Sequence, residues 1–181
     1  LLESLGLNRV ALVGSSFGGR IAQEFAARWP ERVSRLMLLC PARAGHEPTP
    51  DIRAFGEREE ELIDAGDIEG AVALNVDTFV GPAADDAVRG LVRTMQRRAF
   101  EVQLAGPEVD TIEADYDVAA ISAPTLIVSG GQDLPYFDGI ARYLAERIPD
   151  ARHITLDWAG HLPSLEDPAR FNPILLEFLA S

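Results

Sequence analysis

The segment Gly14-Ser15-Ser16-Phe17-Gly18 constrains the fold more than any other feature of the sequence. It follows the apolar run Arg9–Val13, whose valine and leucine content is typical of a strand buried on both faces of a parallel sheet. It precedes apolar residues at helical spacing, and Pro30 closes that helical pattern. Because a strand that turns so quickly into a helix holds the residue at its apex in a strained conformation, we predict a sharp strand–turn–helix unit here.

The rest of the chain continues the alternation of strands and helices, with one interruption. After the first helix, in chain order, the pattern predicts a strand at 35–40, helices at about 50–65, 67–80 and 84–105, a strand at 124–129, a helix at about 137–148, a strand at 152–156 and a helix from about 168. The sequence therefore predicts an α/β fold, a mostly parallel sheet with flanking helices, formed by residues 1–45 and 119–181. An all-helical insertion over residues 46–118 interrupts it.

Charge and composition exclude several classes of function. The chain of 181 residues has 16 basic and 29 acidic residues, a net charge of −13, which disfavours nucleic acid as a partner. Every basic residue is arginine, so Schiff-base and P-loop lysine chemistry are excluded for this chain. With a single cysteine and no zinc-binding motif, we expect no intrachain disulfide, no metal and no cofactor. No apolar run is long enough to span a membrane.

The spacing of the glycines selects Ser16 as the candidate nucleophile. Residues two before and two after the apex of such a turn are expected to crowd together, so both should lack a side chain. Ser16 has Gly14 and Gly18 at these places, whereas Ser15 has bulky neighbours. The backbone N–H of Phe17, at the start of the helix, is expected to face an oxyanion. The alternative is a glycine-rich turn without catalytic function.

The base is expected among three histidines, His46, His153 and His161. His161 follows the last predicted strand, and loops at the carboxyl ends of parallel strands converge on one crevice. His153 lies within a strand pattern and His46 in the loop that enters the helical insertion, so structural or exposed positions are expected for both. The sequence therefore favours His161, with a solvated loop histidine as the alternative.

A carboxylate that orients the histidine is expected at the same sheet edge. Asp133 follows the strand before the one that leads to His161, and it is the first candidate. Asp157 is the second candidate, although it is only four residues from the histidine, and Asp138 is expected within a helix. The alternative role for Asp133 is that of a turn or capping residue. The chain order of serine, aspartate and histidine agrees with the order in α/β-hydrolases.

Three pieces of the sequence resemble the α/β-hydrolase superfamily: VALVGSSFGGRIAQEFAARWPERV, APTLIVSGGQD and AGHLPSLEDPARF. Taken together, the chain is similar to the C-terminal two-thirds of a capped member. The resemblance implies that residues 46–118 form a helical cap over Ser16. It also implies that the family's first strands, and the loop that donates the second oxyanion N–H, lie upstream of this sequence. The first strand of this chain would then be an open edge, and we expect self-association and weak activity.

The resemblance implies a serine hydrolase that cleaves a small carboxylic ester or lactone through an acyl-enzyme intermediate. The same triad supports two alternatives, a cofactor-free perhydrolase or haloperoxidase and a hydrolase-like binding protein without turnover. A small molecule is the expected partner, and self-assembly is left open. No signal peptide is visible, so a cytoplasmic location is expected, although the natural start of the protein is expected upstream.

Arginines are the candidate substrate contacts beyond the triad. Arg43, Arg97 or Arg98 could face a substrate carboxylate, as an enol-lactone would require. For the arginine pair, a solvated helix face with Glu101 as an ion-pair partner is the favoured alternative. Cys40 is expected to be a small buried apolar residue.

Overall fold

The structure is a computed structural model that describes residues 1–107 and 115–181. Within these residues, four strands form one sheet in the order β1-β2-β3-β4, and every neighbouring pair is parallel. The α/β architecture expected from the sequence is therefore confirmed. The strands are β1 (Val10–Ser15), β2 (Val33–Leu39), β3 (Thr125–Gly130) and β4 (Ala151–Leu156).

Helices cover both faces of this sheet. One face packs against two helices through small and branched side chains such as Ala26, Leu38 and Ile140. The other face packs against the last helix through Phe171 and Phe178. Two buried clusters thus enclose the sheet, as expected for strands with apolar residues on both faces. The flanking helices are α1 (Ser16–Arg28), α5 (Pro135–Arg147) and α7 (Pro168–Ala180), and α6 (Pro163–Glu166) is a short helix before α7.

Three helices lie between β2 and β3, where the sequence predicts an all-helical segment. Two of these helices begin at N-cap aspartates. The side chains of Asp67 and Asp85 accept hydrogen bonds from the backbone N–H groups of Gly70 and Val88. These helices have small apolar clusters of their own, and one cluster also includes side chains from the segment that follows His161. The helices are α2 (Pro50–Asp64), α3 (Ile68–Phe79) and α4 (Asp86–Ala105).

The exposure of β1 agrees with the open edge that the family resemblance implies, and not with the apolar pattern taken alone. That pattern is typical of a strand buried on both faces, but Val13 is 43% exposed. In the described part of the chain β1 pairs with β2 alone, so its other edge has no neighbouring strand. An apolar groove of about 530 Å³ runs beside it, lined among others by Ile21, Phe25 and Trp29. The apolar side chains of β1 therefore belong to a surface that the described residues do not cover.

Smaller differences concern the ends of the elements. The short helix α6 was not predicted, and it lies within the loop expected between β4 and the last helix. Pro173 lies inside α7, as the sequence indicates. No helix in residues 1–107 or 115–181 is long and apolar enough to cross a membrane.

Candidate active site

The turn between β1 and α1 places Ser16 in a strained conformation. Its φ is +51°, in the left-handed region that residues with a side chain rarely adopt, whereas Ser15 is extended at φ −111° and ψ 138°. The two serines are therefore distinguished by their backbone, with Ser16 at the apex. The first N–H groups of an α-helix have no partner within the helix, so the Phe17 N–H is placed to face an anion.

Gly14 is required beneath this turn, but the prediction for Gly18 was wrong. A Cβ on Gly14 would lie 2.6 Å from the carbonyl oxygen of Gly18, which a side chain cannot tolerate. A Cβ on Gly18 would meet nothing within 4 Å. The second crowded position is Gly19, where a Cβ would lie 3.0 Å from the ring of Pro41. The close approach is thus between the backbone of Gly18 and Gly14, and the loop after β2 restricts Gly19.

Asp133 and His161 form a buried hydrogen-bonded pair. The distance between Asp133 Oδ2 and His161 Nδ1 is 2.7 Å, and their side chains are 2% and 6% exposed. The other carboxylate oxygen of Asp133 accepts a hydrogen bond from the Leu134 N–H at 2.7 Å. No residue in the described ranges hydrogen-bonds His161 Nε2. The imidazole is therefore oriented through one nitrogen, and the other remains available for proton transfer.

The register of the sheet brings Ser16 and this pair to the same edge. Ser15 at the end of β1 lies opposite Leu39, and Leu39 lies opposite Val128 of β3. Ser16 follows the end of β1, Asp133 lies in the loop after β3, and His161 lies in the loop after β4. β1 and β3 are two strand spacings apart, which is roughly 10 Å between backbones. The structure therefore brings all three candidates to one edge, with the end of β2 between the serine and the pair.

Cys40 occupies this intermediate position at the end of β2. It is fully buried, with a φ of +41°, and its sulfur lies 3.8 Å from the Gly160 carbonyl oxygen. Burial, reinforced by the negative charge of Asp133, raises the pKa of the Cys40 thiol well above its usual value. The thiol is therefore protonated and unreactive at neutral pH. The expectation of a small buried residue agrees with its burial, but the sequence did not predict its contact with the pair.

Cys40, Asp133 and His161 are also the one group of three potential metal ligands within the described residues. Their donor atoms lie within 4.8 Å of one another. The carboxylate and the imidazole already engage each other at hydrogen-bonding distance, which is the arrangement that orients a general base.

Two phenylalanines pack against the imidazole of His161. The ring of Phe137, at the start of α5, lies 4.1 Å from it between centroids, and the ring of Phe79, at the end of α3, lies 5.0 Å away. The sequence pattern alone does not predict Phe137 as a contact of the site. A phenylalanine four residues after Asp133, in the first turn of the next helix, was the available signal.

Arg97 and Arg98 are engaged by carboxylates on the protein surface. Arg97 forms an ion pair with Glu69 of α3, and Arg98 pairs with Glu101 at 3.0 Å. Their side chains are 45% and 73% exposed. Arg98 has the partner that the alternative from the sequence predicts, whereas Arg97 pairs with Glu69 and not with Glu101. Both arginines are thus engaged without a substrate carboxylate.

Arg43 lies between two aromatic rings. Its guanidinium carbon is 5.2 Å from the ring centroid of Tyr116 and 4.9 Å from that of Tyr143. Its Nη1 is buried and has no hydrogen-bond partner in residues 1–107 and 115–181. Burial, together with the charge of Arg43, lowers the pKa of the nearby His46. Arg43 is thus held between two rings, and it is the candidate arginine with a buried Nη1 that has no partner in the described residues.

Comparisons with known proteins agree with this architecture. The α/β-hydrolase family model matches residues 1–174. The chain is 31% identical to RutD from Klebsiella pneumoniae (strain 342), provisionally named a carbamate hydrolase, and the match covers 99% of this chain and 69% of that protein.

Solved structures show the same fold. Est816, described as an enzyme that degrades N-acyl homoserine lactones, matches with a TM-score of 0.71 and 25% identity over 98% of this chain and 70% of its own. Serine hydrolase CCSP0084 from Cycloclasticus zankles matches with a TM-score of 0.73 and 22% identity. That match covers 99% of this chain but 66% of the other, so this chain spans just under two thirds of its length. A parallel sheet with a strained strand–helix turn, and a family match over nearly its whole length, place the chain in the α/β-hydrolase family.

Proposed function

We propose that this protein is a serine hydrolase in which Ser16 is the nucleophile, His161 the general base and Asp133 the residue that orients His161. One observation carries the proposal: the buried Asp133–His161 hydrogen bond lies at the sheet edge where Ser16 has a φ of +51°. A carboxylate–imidazole pair whose Nε2 has no partner among the described residues, at the same edge as a strained serine, is the arrangement that activates a hydroxyl nucleophile.

The reaction follows from the atoms available. The Ser16 hydroxyl gives its proton to His161 Nε2 while its oxygen attacks the substrate carbonyl, and the Phe17 N–H donates to the oxyanion. The alkoxide leaving group takes the proton from His161 as the tetrahedral intermediate collapses to the acyl enzyme. Water then gives a proton to His161, attacks the acyl carbon and releases the acid, and Ser16 regains its proton.

The helical segment α2–α4 is the proposed cap over this site. Its support is that the carbonyl oxygen of Phe79 accepts the backbone N–H of His161 at 2.9 Å, while the Phe79 ring packs on the imidazole. Side chains after His161, Leu162 and Leu165, pack against the apolar cluster of α3 and α4. Residues of this segment therefore contact the base itself.

Small uncharged carboxylic esters and lactones are the proposed substrates. The net charge of −13 and the aromatic surroundings of His161 disfavour a substrate with several negative charges. Arg43 is the residue that could reverse this preference, since its Nη1 has no partner among the described residues. Arg97 and Arg98 are weaker candidates, because each already pairs with a glutamate.

A substrate panel tests the proposal. Rates would be compared for a short-chain nitrophenyl ester, a neutral lactone, a carboxylated lactone and a carbamate, the last because of the RutD resemblance. We expect the neutral ester and lactone to be hydrolysed fastest. A preference for the carboxylated lactone that disappears in Arg43→Ala would overturn the proposed substrate class. Turnover that depends on added peroxide would indicate a perhydrolase or haloperoxidase, and the absence of turnover on every substrate would favour the binding-protein alternative.

A further inference from the structure

The loop that carries His161 is held by a residue to which the mechanism gives no role. Glu166, at the end of α6, is buried, with 8% of its surface exposed. One carboxylate oxygen accepts the Gly160 N–H at 2.8 Å, and the other accepts the Leu162 N–H at 2.9 Å. The carboxylate therefore binds the residues immediately before and after His161.

The N–H between these two, that of His161, has an acceptor on a different element. The His161 N–H donates to the Phe79 carbonyl oxygen at 2.9 Å, at the end of α3. Three consecutive backbone N–H groups thus have acceptors, two from Glu166 and one from the helical segment. With all three donors satisfied, the backbone that carries the imidazole cannot rotate without breaking a buried hydrogen bond.

The chain leaves room for this carboxylate at Gly81. A Cβ on Gly81 would overlap the Oε2 atom of Glu166 and would lie 2.6 Å from the Gly160 nitrogen. Any side chain at this position would therefore displace the carboxylate, the loop or the end of α3. The fit between Gly81 and Glu166 indicates that the position of the carboxylate is specific, since a buried charge is favourable only where its hydrogen bonds are formed.

We infer that Glu166 is a positioning residue for His161, which it holds in register with Asp133 by binding the N–H groups of Gly160 and Leu162. The inference rests on the proposed function of His161 as the base. Replacing Glu166 should therefore lower kcat with little change in KM, because a displaced imidazole affects the transition state and not the binding of substrate. A misplacement of about 1 Å is enough for a loss of roughly 100-fold.

The test compares Glu166→Ala, Glu166→Gln and Gly81→Ala with the control Glu177→Gln, an exposed glutamate on α7. Glu166→Gln keeps the volume and one acceptor, so its loss in kcat should be smaller than that of Glu166→Ala. Gly81→Ala leaves the carboxylate in the chain but displaces it, so it should also lower kcat. The control should match the wild type.

A proton NMR measurement separates this inference from the proposed function. The proton on His161 Nδ1, shared with Asp133, should give a resolved downfield resonance in the wild type and in Glu177→Gln, and it should shift or broaden in the Glu166 variants. This readout requires no turnover, so an inactive wild type with the resonance would contradict the proposed function alone. If Glu166→Ala does not fold, the kcat and the Nδ1 resonance of Glu166→Gln provide the test. A folded Glu166 variant with wild-type kcat and an unchanged Nδ1 resonance would overturn the inference.

Discussion

The two halves of the candidate site differ in how completely they are enclosed. On the side of His161, the side chains of the pair are at most 6% exposed, and three consecutive N–H groups of the loop have acceptors. On the side of Ser16, β1 has a single neighbouring strand in the described residues, Phe17 is 62% exposed and Ile21 is 51% exposed. The base is held from several directions, whereas the nucleophile lies beside an open apolar surface.

This difference shows that the two halves are specified by different kinds of information. The backbone angle of Ser16 is set mainly within a five-residue turn, to which the loop after β2 adds one hydrogen bond, from the Ala42 N–H to the Ser16 carbonyl oxygen at 3.0 Å. The geometry of His161 is assembled from α3, the loop after β3 and α6. The proposed oxyanion donor, the Phe17 N–H, belongs to this local half, and the loss of one such donor lowers kcat by about 10²–10³-fold in other enzymes.

The largest expected effect comes from removing the candidate nucleophile. Ser16→Ala should reduce ester turnover by roughly 10⁴-fold or more, because the attacking oxygen is lost. Ser15→Ala is the matched control, since Ser15 is adjacent but extended. Steady-state hydrolysis of a neutral nitrophenyl ester measures both. An inactive Ser15→Ala variant beside an active Ser16→Ala variant would show that the wrong serine was chosen at the turn.

The second effect tests the enclosed half through its carboxylate. Asp133→Asn should lower kcat by about 10³–10⁴-fold, because an amide cannot stabilise the imidazolium and permits the wrong tautomer. Asp157→Asn is the control, since Asp157 is exposed and was the second candidate from the sequence. The kcat of both variants would be measured on the same ester. A larger loss from Asp157→Asn would show that the observed hydrogen bond is not the functional one.

The third effect tests the open surface. Val13→Lys places a charge on the uncovered edge of the sheet, and it should reduce the self-association that an unpaired apolar strand favours. Thr155→Lys, at an exposed position on β4, is the control for a lysine on the opposite edge strand. Sedimentation velocity would give the fraction of monomer for each. If the wild type is monomeric and Val13→Lys changes nothing, the groove beside β1 does not drive association.

The smallest effect concerns how the free energy of unfolding depends on pH through His153 on β4. Burial lowers the pKa of His153 from its ordinary 6.5, although Asp138 raises it in part and Arg142 lowers it further. The neutral ring shares a 2.7 Å hydrogen bond with the Ser129 hydroxyl. Because the unfolded chain binds this proton more readily, the contribution of His153 to stability is complete above pH 6.5 and is lost as pH falls towards the lowered value.

His153→Gln should therefore weaken the dependence of stability on pH over this interval. Urea unfolding at several values between pH 5 and pH 7.5 would measure it, with His46→Gln as a comparison because burial lowers the pKa of His46 as well. An unchanged slope in His153→Gln would assign the dependence to other groups.

The sequence predicts the parts of the site that depend on local pattern. The turn between strand and helix predicts Ser16 as a candidate, and the positions after successive parallel strands predict Asp133 and His161. Gly18 was misinterpreted because spacing alone does not tell which atoms approach, and the structure shows that its carbonyl oxygen, not its missing side chain, crowds Gly14.

Other features depend on contacts between distant segments, which no pattern encodes. The bond from His161 to Phe79 joins residues whose proximity arises only when the helical segment packs on the sheet. The bonds from Glu166 span only four to six residues, and they form because α6 follows the His161 loop directly. The exposure of β1 does not follow from its own residues for a related reason. An apolar strand predicts burial, but the strands beside it in the fold decide whether burial occurs.

Labelling with a fluorophosphonate tests the central claim most directly, because this reagent reacts with a serine only when a base activates it. After reaction at neutral pH and proteolysis, mass spectrometry should find the phosphonyl group on Ser16, with no label in Ser16→Ala and much slower labelling in His161→Ala. The same stoichiometry in Ser15→Ala would support the choice of serine. Modification of Ser15 or of a residue away from the sheet edge would contradict the account, as would labelling of Ser16 at an equal rate without His161.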